Sequence, residues 1–101
     1  MNKRLELHNT LLELFNSNHV YYQPPENLKM EYPAIVYSKD NINSIKADNI
    51  SYNNRTRYQV TIIDKKPDND VINKILTLPL SSYDRHFISD NMHHDVITLY
   101  Y

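Results

Sequence analysis

The sequence contains no cysteine, no glycine and no tryptophan. Without cysteine the chain can have no disulfide, no thiolate metal site and no cysteine nucleophile. Walker loops, dinucleotide-binding fingerprints and nucleophile elbows are excluded as well, because each needs glycine where the backbone turns sharply or approaches a ligand closely. The sequence therefore excludes the enzyme classes built on those motifs, and its turns have to use asparagine, aspartate, serine and proline.

Charge and hydropathy argue against two kinds of partner, nucleic acids and membranes. The net charge of -1 comes from 11 basic and 12 acidic residues, and neither sign forms a run. Because binding to a phosphate backbone normally requires a basic face, we expect no direct sequence-specific nucleic-acid binding. No apolar run approaches the roughly 20 residues that cross a bilayer, and the start at Asn2-Lys3-Arg4 is not typical of a signal sequence, so no membrane partner is expected.

The clearest local signal is a strand followed by a helix within residues 55–79. Tyr58, Val60 and Ile62 alternate with polar residues, which predicts a half-buried strand. Ile63 breaks this alternation, so the strand is either covered on both faces at this end or bulged there. After a turn at Pro67, the spacing of the apolar residues predicts a second helix. That helix is capped by Asp68 or Asn69, has Val71, Ile72, Ile75 and Leu76 as its apolar face, and ends at Pro79.

The remaining pattern predicts a first helix over residues 3–17, a short extended piece at 19–22 and a strand at 34–38 with Ile35 and Tyr37 facing opposite to Val36. A C-terminal hairpin follows, with strands at 82–89 and 92–101 around a turn at Asp90-Asn91. In its first strand, Tyr83, Arg85 and Phe87 alternate with Asp84, His86 and Ile88. We predict a single α+β domain with a mostly antiparallel sheet of four to five strands and two helices on one face, in the order α-β-β-β-α-β-β.

Between the second and third predicted strands, residues 40–54 have few apolar side chains. We expect a long loop or a protruding hairpin there. Connections of this length are either functional or simply tolerated at the surface, and the composition does not distinguish the two.

Catalytic and metal-binding constellations are weak. His86, His93, His94 and Asp95 form the one cluster that resembles a metal site, but neighbouring residues of a strand face opposite sides, so His93 and His94 are poorly placed to share one ion. Asp68 and Asp70 are explained by helix capping. Asp84 and His86 give a nominal acid and base beside Ser81 and Ser82, but the sequence has no glycine-built oxyanion loop. We therefore predict no catalytic residue, no metal and no cofactor.

Tyrosine is abundant, with nine residues in the chain. Tyrosine suits surfaces that are wet in the free protein and buried on association. Tyr21-Tyr22 and Tyr100-Tyr101 cannot place both members on one face of a sheet. This favours a binding module over an enzyme.

Several blocks of the sequence resemble the small head-tail joining proteins of long-tailed bacteriophages, the group of tail terminator, tail completion and minor capsid proteins. The blocks are Val20-Tyr21-Tyr22-Gln23-Pro24-Pro25-Glu26, Met30-Glu31-Tyr32-Pro33-Ala34-Ile35-Val36-Tyr37, Arg57-Tyr58-Gln59-Val60-Thr61-Ile62-Ile63-Asp64, Ser82-Tyr83-Asp84-Arg85-His86-Phe87 and Asp90-Asn91-Met92-His93-His94. They cover most of the chain in order. None of them is a catalytic signature.

The resemblance implies one tail-terminator-like domain over residues 1–101. It implies a virion protein, assembled in the cytoplasm of a bacterial host, that forms a ring, typically hexameric, at the head-tail joint. Its partners would be further copies of itself, the major tail tube protein and the head-tail connector proteins. The alternatives are a head-side connector or stopper protein and, from another class, a small phage-encoded hydrolase or nuclease. As interface residues we predict Ile45, Ile50, Tyr52 and Tyr101.

Overall fold

The computed structural model describes residues 3–42 and 56–101. The elements are α1 (Lys3–Phe15), β1 (Val20–Tyr22), β2 (Ala34–Ile42), β3 (Thr56–Asp64), α2 (Val71–Ile75), β4 (Ser81–Ser89) and β5 (Met92–Tyr100). The strands form one sheet in the order β1-β2-β3-β5-β4, with β1 parallel to β2 and the other neighbours antiparallel. The predicted fold class and element order are confirmed. Of the predicted loop at 40–54, residues 43–54 lie outside the described residues, whereas β2 continues to Ile42.

One face of the sheet and both helices enclose the core. In β2, Ile35 and Tyr37 are fully buried and Val36 is only half-buried, as the alternation predicted. The same period of two continues across β3 and β5, because strand pairing places opposite residues on the same face. Both helices contribute to the same cluster, which places them on one face of the sheet. The cluster consists of Leu7, Leu11, Val20, Ile35, Tyr37, Tyr58, Val60, Ile62, Val71, Ile75, Ile97 and Leu99.

Helix α1 packs on the core through Leu7 and Leu11, which are fully buried, and through Leu12, Leu14 and Phe15, which are partly buried. Leu5 is 51% exposed. The helix ends at Phe15. The next residue, Asn16, has a φ of 56°, and its N–H donates to the carbonyl of Leu12. Asparagine thus takes the left-handed position that glycine usually fills at a helix end. Neither helix in the described part of the chain is long and apolar enough to cross a membrane.

Helix α2 is shorter than predicted. It covers only Val71–Ile75, and the chain leaves helical geometry well before Pro79. The side chain of Asn69 caps its start, because its Oδ1 accepts a hydrogen bond of 3.0 Å from the N–H of Val71. The side-chain cap is therefore Asn69, one of the two residues predicted for that role.

The predicted alternation in β4 is wrong at its centre. The register shifts between Tyr83 and Arg85, so that Tyr83 pairs with Ile97 on the core face and Arg85 pairs with Val96 on the opposite face. This β-bulge puts Tyr83 on the same face as His86. Two explanations were predicted for Ile63, a bulge in β3 or burial of both faces of the strand. The pairing register there is regular and Ile63 is buried, so the strand is covered on both faces at this end.

The hairpin turn between β4 and β5 confirms the prediction at Asp90-Asn91. Their φ angles are 53° and 62°, the left-handed values that a two-residue hairpin turn requires. Aspartate and asparagine tolerate this region better than other residues that have a Cβ atom. The chain therefore makes a tight hairpin without glycine.

Tyr37 is the largest fully buried side chain in the core. Its hydroxyl lies 2.6 Å from Nδ1 of His8 on helix α1, and its ring centroid lies 4.9 Å from that of Tyr22 and 6.0 Å from that of Tyr58. Burial, together with the positive charge of Arg4, lowers the pKa of His8, and burial raises the pKa of Tyr37. The bond between Nδ1 of His8 and the Tyr37 hydroxyl therefore links helix α1 to the core of the sheet.

Replacing the tyrosine tests this bond. We expect Tyr37→Phe to lower the free energy of unfolding by about 1 kcal/mol, because a partly buried hydrogen bond is lost and Nδ1 of His8 loses its partner. Tyr32→Phe is the matched control, since Tyr32 is exposed and has no hydrogen bond among the described residues. Urea denaturation gives both values. Equal losses in the two variants would contradict the assignment.

The lowered pKa of His8 predicts a pH dependence. Unfolded His8, with a pKa near 6.5, takes up a proton at a higher pH than folded His8 does. The wild-type free energy of unfolding should therefore decrease as the pH falls below that value. His8→Gln removes this component. Urea denaturation of both proteins between about pH 7.5 and about pH 5 gives the difference in their free energies of unfolding. The wild type should lose more stability than His8→Gln as the pH falls. A difference that does not change with pH would refute the effect.

Candidate functional site

The two edges of the sheet differ in length and in protection. Strand β1 has three residues, and beyond it Gln23 covers the edge of β2, because its N–H donates to Tyr37 and its Oε1 accepts from the N–H of Lys39. Pro24 and Pro25 follow, and neither can donate to a further strand. The other edge is β4, which has nine residues, all exposed except the first. A long exposed edge strand offers backbone groups for pairing with another chain.

Strand β4 also presents apolar and aromatic side chains to solvent. Tyr83 is 45% exposed, Phe87 is 39% exposed and Ile88 is 62% exposed. Its charged residues Asp84 and Arg85 form an ion pair with each other at 2.7 Å. The edge therefore combines apolar area with internally compensated charge.

The histidines of the hairpin separate onto two faces. Nε2 of His86 and Nδ1 of His93 lie 3.1 Å apart on the helix-bearing side, whereas His94 stacks on Phe87 on the opposite side, with ring centroids 4.7 Å apart. This confirms that His93 and His94 face opposite ways. In residues 3–42 and 56–101 there is no group of three or more His, Cys, Asp or Glu side chains placed to hold a metal ion.

The residues considered for nucleophilic catalysis do not converge. The Ser81 hydroxyl donates to the carbonyl of Leu78, Asp84 pairs with Arg85, and His86 contacts His93. Each of these side chains is occupied by a different local partner.

A buried carboxylate lies beside the hairpin histidines. Asp95 is 7% exposed, and its Oδ1 accepts a hydrogen bond of 2.6 Å from the Tyr83 hydroxyl. This bond, together with desolvation and the negative charge of Asp95, raises the pKa of Tyr83 to about 12. Tyr83 is thus a protonated hydrogen-bond donor at neutral pH and a poor general base.

Tyr83 and Asp95 border a small polar cavity of about 250 Å³. Its other walls come from the segment before α2 and from the exposed side of that helix. The complete lining is Pro67, Asp68, Asn69, Asp70, Ile72, Asn73, Tyr83 and Asp95. The lining includes three carboxylates and no basic side chain.

Of the four residues predicted to form an interface, the structure describes one. Ile45, Ile50 and Tyr52 lie outside the described residues. Tyr101 is partly buried against the core, and its backbone exchanges two hydrogen bonds with Thr56, of 3.0 Å and 3.2 Å. Tyr101 thus extends the pairing between β5 and the start of β3. Its role in an interface stays a prediction.

The Tyr83–Asp95 pair was missed from the sequence. Strict alternation placed Tyr83 away from His86, and only the bulge in β4 brings it to the face on which Asp95 lies. The one available signal was a carboxylate directly before the apolar run that begins at Val96. A buried aspartate in such a strand needs a hydrogen-bond donor.

Comparison of the chain with protein-family models, with curated proteins and with solved structures gives no significant match. The likeness to head-tail joining proteins therefore rests on the sequence blocks alone.

Proposed function

We propose that the protein is a non-enzymatic virion assembly protein that forms a ring at the head-tail joint of a long-tailed phage. In this role it caps the finished tail tube and provides the docking surface for the head connector. The observation that carries the proposal is the exposed nine-residue edge strand β4, which presents Tyr83, Phe87 and Ile88 to solvent.

A closed ring needs two different surfaces on each subunit, one on either side of the contact. The β4 edge supplies one such surface, whereas the opposite edge is the three-residue strand β1, followed by two prolines that cannot donate to a further strand. This asymmetry favours a head-to-tail contact over the pairing of two identical edges. The second surface of the contact then lies elsewhere on the neighbouring subunit.

The side-chain chemistry supports an adaptor over an enzyme. In the described part of the chain, Ser81, Asp84 and His86 bond to separate partners, and Tyr83 is held protonated by Asp95. Replacing His86, His93 and His94 with alanine distinguishes the enzyme hypothesis from the adaptor hypothesis, because a hydrolase or nuclease would lose activity and an adaptor would still assemble.

A head-side connector or stopper protein would use the same edge. It would differ from a tail-side protein in remaining with filled heads instead of tails.

Ile88→Lys tests the edge directly. Ile88 is 62% exposed, so the substitution should leave the fold intact. We expect it to weaken self-association by about tenfold or more, because a charged side chain would have to be desolvated at the contact. Sedimentation analysis over a concentration series measures the effect, with high concentrations needed since ring contacts can be weak away from the tube.

Leu5→Lys is the matched control, because Leu5 is similarly exposed but lies on α1, away from β4. It should associate like the wild type. Because Asp84 and Arg85 compensate each other, association should also depend little on salt. Equal association of wild type and Ile88→Lys would rule out β4 as the contact.

A further inference from the structure

Two histidine side chains of the C-terminal hairpin meet close to its turn. Nε2 of His86 lies 3.1 Å from Nδ1 of His93, and the two rings lie at 23° to each other with their centroids 5.2 Å apart. The two-residue turn at Asp90-Asn91 sets this arrangement, because it places Ile88 opposite His93 and Asp95 opposite His86. The two histidines are therefore diagonal neighbours on one face of the hairpin.

His86 and His93 are not the pair that strand alternation excludes as joint ligands. Alternation separates His93 from His94, whose ring stacks on Phe87 on the opposite side of the sheet. The same alternation keeps His86 and His93 together on the helix-bearing side. The expectation of no metal, which depends on His93 and His94, does not cover this pair.

The spacing of the two facing nitrogens matches that of two imidazole ligands on one metal ion. A zinc–imidazole bond is about 2.0–2.1 Å long, so two such nitrogens lie about 2.9 Å apart at a right angle and about 3.3 Å apart at the tetrahedral angle. The distance of 3.1 Å between Nε2 of His86 and Nδ1 of His93 lies between these values. The two strands therefore already hold the nitrogens at the separation that one ion requires.

Both rings can offer a lone pair to the same ion without becoming charged. A neutral imidazole has one N–H and one acceptor nitrogen, and either nitrogen can carry the proton. The ring that donates in the contact between His86 and His93 can therefore hold its proton on its other nitrogen instead. In the described part of the chain the only hydrogen bond of either ring is this mutual one. Binding an ion thus breaks a single protein hydrogen bond.

The charge around the pair favours a cation. Asp64 lies directly across from His93 in the pairing of β3 with β5, and Asp95 lies directly across from His86 in the pairing of β4 with β5. Both carboxylates accept hydrogen bonds from neutral groups, and neither forms an ion pair among the described residues. No basic side chain there cancels their attraction for a positive ion.

The type and number of ligands indicate the class of metal. Imidazole nitrogen suits Zn²⁺, Ni²⁺ and Cu²⁺, whereas Mg²⁺ and Ca²⁺ prefer oxygen ligands. No third His, Cys, Asp or Glu side chain in the described ranges, 3–42 and 56–101, is placed to join the pair. Water would therefore complete the coordination, which makes this an open site and not a closed structural zinc site with four protein ligands.

We propose that His86 and His93 form a two-histidine binding site for a divalent transition metal ion of the zinc, nickel and copper class. The ion is bound through Nε2 of His86 and Nδ1 of His93 and joins β4 to β5 beside the hairpin turn. Because the ligands come together only in the folded hairpin, binding stabilises the fold. The site does not depend on ring formation through β4, and each can fail without the other.

The test is a titration of the full ¹⁵N-labelled chain, free of any polyhistidine tag, with Zn²⁺. The ring nitrogens of the histidines are followed by NMR. We expect saturable shifts for the rings of His86 and His93 at one ion per chain, with no matching shift for His94. Mg²⁺ at the same concentrations should give no saturation, and Cu²⁺ should bind more tightly than Zn²⁺, as the usual order of divalent affinities requires.

Three variants localise the ion. His86→Gln and His93→Gln should each weaken Zn²⁺ binding about tenfold or more, because each leaves a single imidazole ligand. His94→Gln is the matched control, since it changes the neighbouring histidine on the opposite face and should bind Zn²⁺ like the wild type. Saturating Zn²⁺ should also raise the Tm of the wild type and of His94→Gln, but not that of His86→Gln. If Zn²⁺ does not saturate, or if His86→Gln and His93→Gln bind it like His94→Gln, the proposal is overturned.

Discussion

The hydroxyl of Tyr37 has to find a hydrogen-bond partner inside the core, and this requirement joins helix α1 to the middle of the sheet. Nδ1 of His8 lies 2.6 Å from this hydroxyl, and the side chain of Arg4, on the same helix, also hydrogen-bonds it. The rings of Tyr22 and Tyr58 pack on Tyr37 from the neighbouring strands. The contacts of this hydroxyl with His8 and Arg4 therefore tie the position of α1 to the core of the sheet.

The parts of the fold that depend on local pattern could be predicted from the sequence. The alternation of Ile35 and Tyr37 with Val36 is a property of one strand, and the turn at Asp90-Asn91 follows from the residues that tolerate positive φ. The bulge between Tyr83 and Arg85 is different, because it arises from pairing with β5 and leaves no trace in the β4 sequence alone. Its consequence, the contact with Asp95, could not be predicted for the same reason.

The C-terminal hairpin carries the proposed association surface. Strand β4 exposes Phe87 and Ile88, and its bulge places Tyr83 on the helix-bearing face, where the hydroxyl donates to Asp95. A bulge interrupts strand pairing and therefore limits uncontrolled edge-to-edge association. The register shift between Tyr83 and Arg85 thus sets which β4 side chains share a face with Asp95 and which lie on the opposite side.

Quantitative mass spectrometry of purified particles of the encoding phage tests the central claim most directly. The ratio of this chain to the major capsid protein gives its copy number per particle. A ring at the head-tail joint predicts about six copies, as closed sixfold symmetry requires, and predicts that they remain with tails when heads and tails are separated. Absence of the chain from virions would contradict the structural role and favour the enzyme alternative.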